Sequence, residues 1–299
     1  MVDRFLRDYR LTIGIGSQAV TILPPFRIVF TADKSDDPTL NKMTVKIDGL
    51  NDSKRRILVR DKDDKPPKNV KADADGNPAP KKELRANDSR YFPVELQVGY
   101  LGRLETIFRG SVDEAGSTRE GPQFVTTLTC LDGGHDFLNS FVSTSVTSKS
   151  AAIDAVLGTM PNTKKGKIGA QKDITRPKIL VGNSMATIQE MLDPDQRWFI
   201  DDERLNILSE KEVVSGYIPV VSAETGLQNI EPKKKEIIMN MWMNTSIKVG
   251  GLVQLISTVS PGANGIYKVR LITYNGDYEG SDWMMKVSGD LAEEYVVPK

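Results

Sequence analysis

The feature that most constrains this chain is the two-residue alternation of its last third, residues 220–287, where short apolar runs are cut by Gly, Asn and Asp. Tyr267, Val269 and Leu271 alternate with Lys268 and Arg270, and Trp283, Met285 and Val287 alternate with Met284 and Lys286. Successive side chains leave a pleated backbone on opposite faces, so this period marks half-buried strands. The expectation is one strand with Tyr267, Val269 and Leu271 on a single face and another that buries Trp283. Asn275, Gly276, Asp277 and Gly280 lie between the two runs and are expected to turn the chain back. Residues 236–243 and 252–256 supply further strands, and a compact barrel or sandwich is the economical way to bury all these faces.

The same signal opens the chain. Tyr9, Leu11, Ile13 and Ile15 share a face, and residues 26–30 and 43–47 give two more strands rich in β-branched residues. Asp52 or Ser53 is expected to cap a short helix through Leu58. Strands return at residues 92–99, with Val94, Leu96 and Val98 on one face, and at 104–108 and 124–131. Helical spacing appears only in the middle. Ile153, Val156, Leu157 and Met160 follow Ser148 as cap and stop at Pro161; Met185, Ile188, Met191 and Leu192 follow Ser184 and stop before Pro194. A hairpin of residues 197–200 and 204–208 turns at Asp201, Asp202 and Glu203.

The fold class expected is therefore mainly β with a small α/β insert. Residues 1–131 form a first β-barrel, 132–212 the α/β module and 213–299 a second β-barrel. No short-period repeat of the solenoid kind is present, and a distant duplication of barrel against barrel stays open. Residues 61–88 stand apart: they hold four prolines, six lysines and six aspartates, with only Val70 and Leu84 as large apolar groups. Such a run buries too little surface to offset its ordering entropy. It reads either as a solvated insertion or as an arm that orders against a neighbouring subunit. On the second reading Lys62, Lys65, Lys68, Lys71, Lys81 and Lys82 are the partner-contact candidates.

Composition narrows function more than it assigns it. The 299 residues are enough for two or three domains, and 40 basic residues balance 40 acidic ones. No global field then draws the protein onto nucleic acid or anionic membrane. Cys130 is the single cysteine, which excludes an internal disulfide and a multi-thiolate metal site within one chain; its alternating neighbours place it as a buried structural thiol. His135, within Asp132-Gly133-Gly134-His135-Asp136, has no second histidine to complete a zinc site or a triad, and a structural or exposed turn residue is expected. Asp201-Asp202-Glu203 and Glu293-Glu294 offer paired carboxylates of the sort glycoside hydrolysis needs, but the sequence privileges no pair. Lys233-Lys234-Lys235 reads as a solvated hairpin tip. No catalytic residue, cofactor or metal site is expected. No charged-then-apolar leader opens the sequence and no apolar run approaches ~18 residues, so assembly in a cytoplasm without stable membrane insertion is expected.

Several segments, taken in order, carry a resemblance. Gly99-Tyr100, Ile107-Phe108-Arg109-Gly110, Gly121-Pro122 and Leu131-Asp132-Gly133-Gly134 come first. Trp198-Phe199-Ile200, Leu205-Asn206-Ile207-Leu208 and Glu224-Thr225-Gly226-Leu227 follow. The last are Gly250-Gly251-Leu252-Val253-Gln254-Leu255, Asn264-Gly265-Ile266-Tyr267-Lys268-Val269 and Gly276-Asp277-Tyr278-Glu279-Gly280-Ser281-Asp282-Trp283. Together they resemble the baseplate hub proteins of contractile-tailed bacteriophages, a tail-tip family shared with tailocins and type VI secretion spikes. The resemblance implies a structural virion protein, two tube-like β-barrels per chain and a homotrimer that presents six similar barrels around a channel. It also implies partners: the tail tube protein, the central spike and other baseplate proteins, with the tape measure protein a further candidate. DNA would pass through the channel without specific binding. Two alternatives remain on this reading: the equivalent hub of a tailocin or type VI secretion tip, and a tail-associated cell-wall hydrolase.

Overall fold

The computed structural model describes residues 6–16, 19–59, 92–100, 102–172, 174, 176–233 and 236–298. The insertion and its six lysines (Lys62, Lys65, Lys68, Lys71, Lys81 and Lys82) lie outside the described residues. The N-terminal part contributes β1 (Arg7–Ile13), β2 (Val20–Ile22), β3 (Ile28–Ser35), β4 (Lys42–Asp48) and helix α1 (Asp52–Leu58). After the insertion come β5 (Pro93–Tyr100), the long β6 (Arg103–Glu120) and β7 (Gln123–Leu131). The middle holds α2 (Gly134–Asn139), β8 (Phe141–Val146), α3 (Lys149–Leu157), β9 (Lys164–Ile168), β10 (Lys178–Asn183), α4 (Ser184–Met191), β11 (Gln196–Ile200) and β12 (Arg204–Ser209). The last third is β13 (Val220–Val221), β14 (Leu227–Pro232), β15 (Glu236–Trp242), β16 (Leu252–Leu255), β17 (Gly265–Asp277) and β18 (Trp283–Leu291).

The molecule is mainly β. One 13-stranded sheet runs in the order β14-β15-β18-β17-β3-β4-β7-β6-β5-β1-β2, with β16 beside β17 and β13 beside β16. Among the described residues this path is open: β14 and β2 are its ends, and no pairing joins them into a closed barrel. The first and last thirds of the chain meet where β3 pairs antiparallel with β17, from Leu271 opposite Ser35 to Asp277 opposite Val29.

The sheet order contains a repeat. β3-β4-β7-β6-β5 and β14-β15-β18-β17-β16 are five-strand runs in which every neighbour is antiparallel. In each run the chain makes a first pair, crosses over, and then lays down three consecutive strands. The correspondence stops at the sixth strand, since β13 lies parallel to β16 whereas β1 is antiparallel to β5.

Two apolar cores form. The larger draws on the whole sheet, from Tyr9, Leu11 and Ile13 through Leu128 and Cys130 to Trp283, Met285 and Val287. The smaller packs α3 and α4 on β8, β10, β11 and β12, with Ile153, Val156, Met185 and Ile188 inward. The β11–β12 hairpin belongs to both, because Phe199 and Leu208 enter the large core while Trp198, Ile200, Leu205 and Ile207 enter the small one.

Trp283 is fully buried on the face it shares with Met285 and Val287, as the alternation predicts. Its ring meets Phe30 edge-on at 5.7 Å, and the Arg7 guanidinium lies 5.7 Å from its centroid. The facing of β17 differs from expectation. Its register on β18 shifts between Val269 and Leu271, so Tyr267 and Val269 point inward, Leu271 is exposed, and Ile272 and Tyr274 point inward again. The inserted residue, Arg270, is a β-bulge that exchanges the two faces. Asn275, Gly276 and Asp277 are strand, not turn, because β3 pairs with all three and β18 with Asn275 and Gly276 on the other edge. The reversal follows at residues 278–282, where Asp277 Oδ1 accepts the N–H groups of Glu279 and Gly280.

Smaller differences have local causes. Gly14 adopts a positive φ of 92° and ends β1, which leaves Ile15 74 % exposed. Asn51, not Asp52 or Ser53, caps α1 through the N–H of Lys54. Asn183 caps α4 through the N–H groups of Met185 and Ala186, while Ser184 is already helical. Ser148 caps α3 as expected, but the helix stops at Gly158 before Pro161 is reached. His135, expected on a turn, lies in the short helix α2. The largest omission is the second half of β6, which extends 12 residues beyond Phe108, to Glu120.

Candidate functional site

The joint between the small α/β core and the large sheet concentrates the molecule's buried charge. β3 alternates Ile28, Phe30, Ala32 and Lys34 toward the interior, so Lys34 takes an inward position and is only 2 % exposed. Its ammonium lies 2.5 Å from Asp201 Oδ1 and 2.8 Å from Asp202 Oδ1, at the tip of the β11–β12 hairpin. Asp132, at the end of β7, faces the same tip. Its carboxylate accepts the backbone N–H groups of Asp202 at 2.7 Å and Glu203 at 2.8 Å. Asn41 Nδ2 donates to the Ile200 carbonyl at 2.7 Å.

That turn has left-handed backbone at two non-glycine residues, Asp202 (φ 51°) and Glu203 (φ 60°). Left-handed backbone is unfavourable for L-residues, and here the N–H groups of both residues are held by one buried carboxylate. Asp132 therefore pins the hairpin tip. Burial pushes its own carboxyl up to about 8, against the lowering effect of Lys34. Burial alone would lower the Lys34 ammonium, but Asp201 and Asp202 hold it above the ordinary lysine range. Asp202 sits below the usual carboxylate range because its contact with Lys34 outweighs its burial. The ligand atoms of Asp132, Asp201 and Asp202 lie within 4.8 Å of one another, the one group among the described residues with a metal-like donor set. Lys34 already supplies the positive charge there, so the arrangement acts as an ionic lock between β3, β7 and the α/β hairpin.

A second lock sits beside the bulge in β17. The Arg270 guanidinium reaches Asp36 at 2.6 Å and Asp290 at 2.8 Å and also contacts Glu210. Buried Lys268 donates to the carbonyls of Ser209 at 3.0 Å and Glu210 at 2.9 Å. A cleft of about 1050 Å³ is lined by Thr106 and Arg109 of β6 together with Lys165 and Lys167 of β9. Asp201 and Asp202 also border this cleft, and both are engaged by Lys34.

The residues singled out in the sequence take structural positions. His135 Nδ1 lies 3.2 Å from Asp136 Oδ1, and Asp136 accepts from Asn162 N–H at 2.9 Å and Thr163 Oγ1 at 2.8 Å. The Asp132 to Asp136 motif thus fastens two turns. Cys130 is buried on the inward face of β7, and burial pushes its thiol above the ordinary range. Lys233 stands at the β14–β15 turn and pairs with Glu236 at 3.2 Å. Glu294 pairs with Lys211 at 2.6 Å on the exposed surface. Lys34 falls in the inward register of β3, a signal readable in the sequence, whereas Lys268 lies on the face opposite Tyr267 and Val269 and is buried only because residues 209–210 pack over it.

Comparison with known proteins decides the family. The family model described as "Baseplate hub gp41" matches residues 9–289. The chain belongs to the baseplate hub family. This hub-family chain shares its fold with a 43 kDa tail protein of prophage MuSo2 from Shewanella oneidensis: TM-score 0.60, 8% identity, 96% of this chain and 98% of that one. A tail protein from Neisseria meningitidis MC58 is similar at TM-score 0.60 and 6% identity, over 97% of this chain and 99% of that one. The E. coli c3393 protein is described as a type VI secretion component with structural similarity to the T4 tail proteins gp27 and gp5. It aligns at TM-score 0.64 and 7% identity, over 97% of this chain and 79% of that one. No curated protein sequence matches significantly. No helix among the described residues is long and apolar enough to cross a membrane.

Proposed function

We propose that this chain is the structural hub at the tip of a contractile phage tail. Three copies form a pseudo-six-fold ring that joins the hexameric tail tube to the trimeric central spike. The observation that carries this reading is the match of the hub family to residues 9–289. The repeated five-strand order supports it, because a chain with two similar units gives six in three copies. On this reading residues 1–131 and 213–299 are the tube-like barrel units and residues 132–212 are a module docked against them.

The role is assembly and not catalysis. The sequence's most suggestive acids, Asp201 and Asp202, are held by Lys34, an arrangement suited to docking and not to a carboxylate pair set across a substrate. The hub is made in the host cytoplasm and enters the virion with the tube, spike and other baseplate proteins, and DNA passes its channel without specific contacts. The similarity to the E. coli type VI component favours one second reading, the same role in another contractile machine. The presence or absence of capsid genes beside this one distinguishes the two.

The test is a mass measurement on the purified full chain, alone and with its tube or spike protein, followed by imaging of the tail tip. The expected result is a three-copy ring. A chain that stays a monomer with either partner would sink the proposal.

A further inference from the structure

The two five-strand runs differ at one joint, and the difference is informative. In each run the long strand bulges at the same place. The register of β6 on β7 shifts between Val112 and Glu114, and that of β17 on β18 between Val269 and Leu271. Beyond each bulge the long strand continues for an equal length, residues 114–120 in β6 and 271–277 in β17. Before the bulge, β6 pairs with β5 and β17 pairs with β16 along the edge facing away from β7 and β18.

After the bulge the two strands part company. The edge that β17 gave to β16 is taken over by β3. The corresponding edge of β6 has no partner among the described residues. The other half of the joint shows the same asymmetry. β3 pairs with both β4 and β17, whereas among the described residues its counterpart β14 pairs with β15 alone. One joint is complete inside the chain, and both halves of an equivalent joint are left open among the described residues.

From this, and resting on the trimer reading above, we infer that β14 of one copy pairs antiparallel with residues 114–120 of β6 in a second copy. The contact repeats between chains what β3 and β17 do within one. It is heterologous, joining two different surfaces, which is the kind of contact that closes a ring around a threefold axis. An unpaired strand edge is a template for another strand, so each copy offers one donor edge and one acceptor edge.

The register follows from the repeat. Thr44 opposes Thr129, which opposes Glu114; Ile238 opposes Ser288, which opposes Leu271. Thr31 opposes Thr44 and Glu231 opposes Ile238, so Glu231 corresponds to Thr31. Within the chain Thr31 opposes Asn275, four residues beyond Leu271. Thr118, four residues beyond Glu114, therefore faces Glu231 of the neighbouring copy. Burial agrees with this alignment at positions not used to set it. Ile230 packs on the large core as its counterpart Phe30 does, and Ala115 does so in the place of Ile272.

Directly opposed strand residues have Cα atoms roughly 4.5–5.5 Å apart, within the span of a disulfide. The experiment is a double variant, Thr118→Cys with Glu231→Cys, in the full chain under mild oxidation, with the native mass measured in parallel. Both positions are exposed, so folding is not at risk. Thr31→Cys with Asn275→Cys serves as the control and closes within one chain. The expected outcome is covalent dimers and trimers that need both cysteines. A three-copy particle in which the control closes and the test pair does not would overturn this strand pairing and leave the trimer standing. A chain that is monomeric throughout would overturn both.

Discussion

At Lys34 one ammonium stands between Asp201 and Asp202, both partly shielded from water. Removing one partner of a buried ion pair leaves the other uncompensated, so Lys34→Met should cost about 3–5 kcal/mol at neutral pH. The sign of its pH dependence can be worked out. Burial acts on both carboxyls to raise them and Lys34 opposes it, so removing the lysine should leave both above their unfolded value of about 3.9. Stability is then retained below that value and lost as pH rises through the folded values. The deficit of Lys34→Met should therefore shrink as pH falls from neutral toward about 4, as followed by urea denaturation. A deficit independent of pH would mean that the two aspartates do not depend on Lys34. Asp132, pushed up to about 8 by burial, gives the parent chain a slope of the same sign. Trp283 is a second test at this scale. It is fully enclosed and packed edge-on against Phe30, so Trp283→Ala should cost ~3–5 kcal/mol in the same measurement.

At the scale of single elements the helix caps separate what is specified locally from what is not. Asn51 accepts the N–H of Lys54, whereas Asp52 makes exposed pairs with Arg55 and Arg56. Asn51→Ala should destabilise by about 1 kcal/mol and Asp52→Ala by less than about 0.5 kcal/mol, measured by thermal denaturation. Asn, Asp and Ser all cap helices well, so three adjacent candidates cannot be ranked without the backbone geometry. Strands with a clean alternation were legible: Val94, Leu96 and Val98 of β5 are buried, and so are Thr126, Leu128 and Cys130 of β7. The second half of β6 was not, because Arg109 to Glu120 is polar and owes its strand form to pairing with β7. The bulge in β17 was hidden for another reason. It is held by ion pairs from Arg270 to Asp36, Glu210 and Asp290, residues 20 to 234 positions away in sequence. The ionic lock was half legible. Asp201, Asp202 and the Asp132 motif were singled out as chemistry, and only the fold shows that Lys34 turns them into a docking joint.

For the whole molecule, the repeated strand order separates edges that are complete in one chain from edges that need another copy. Amide exchange reads this difference directly, since protection depends on how often a hydrogen-bonded segment opens. β3 and residues 271–277 of β17 lie inside the sheet with partners on both sides, so they should be strongly protected whether or not the ring has formed. β14 and residues 114–120 of β6 each have one paired edge among the described residues, so they should exchange faster in the dissociated chain. Ring formation should slow exchange in both of these segments together, because each supplies the other's missing partner across a copy boundary. A general slowing across the surface would point to nonspecific association. Protection appearing in β14 alone would mean that it pairs with a strand other than β6. The decisive pattern is joint protection of two segments some hundred residues apart, with β3 and β17 unchanged as the internal standard.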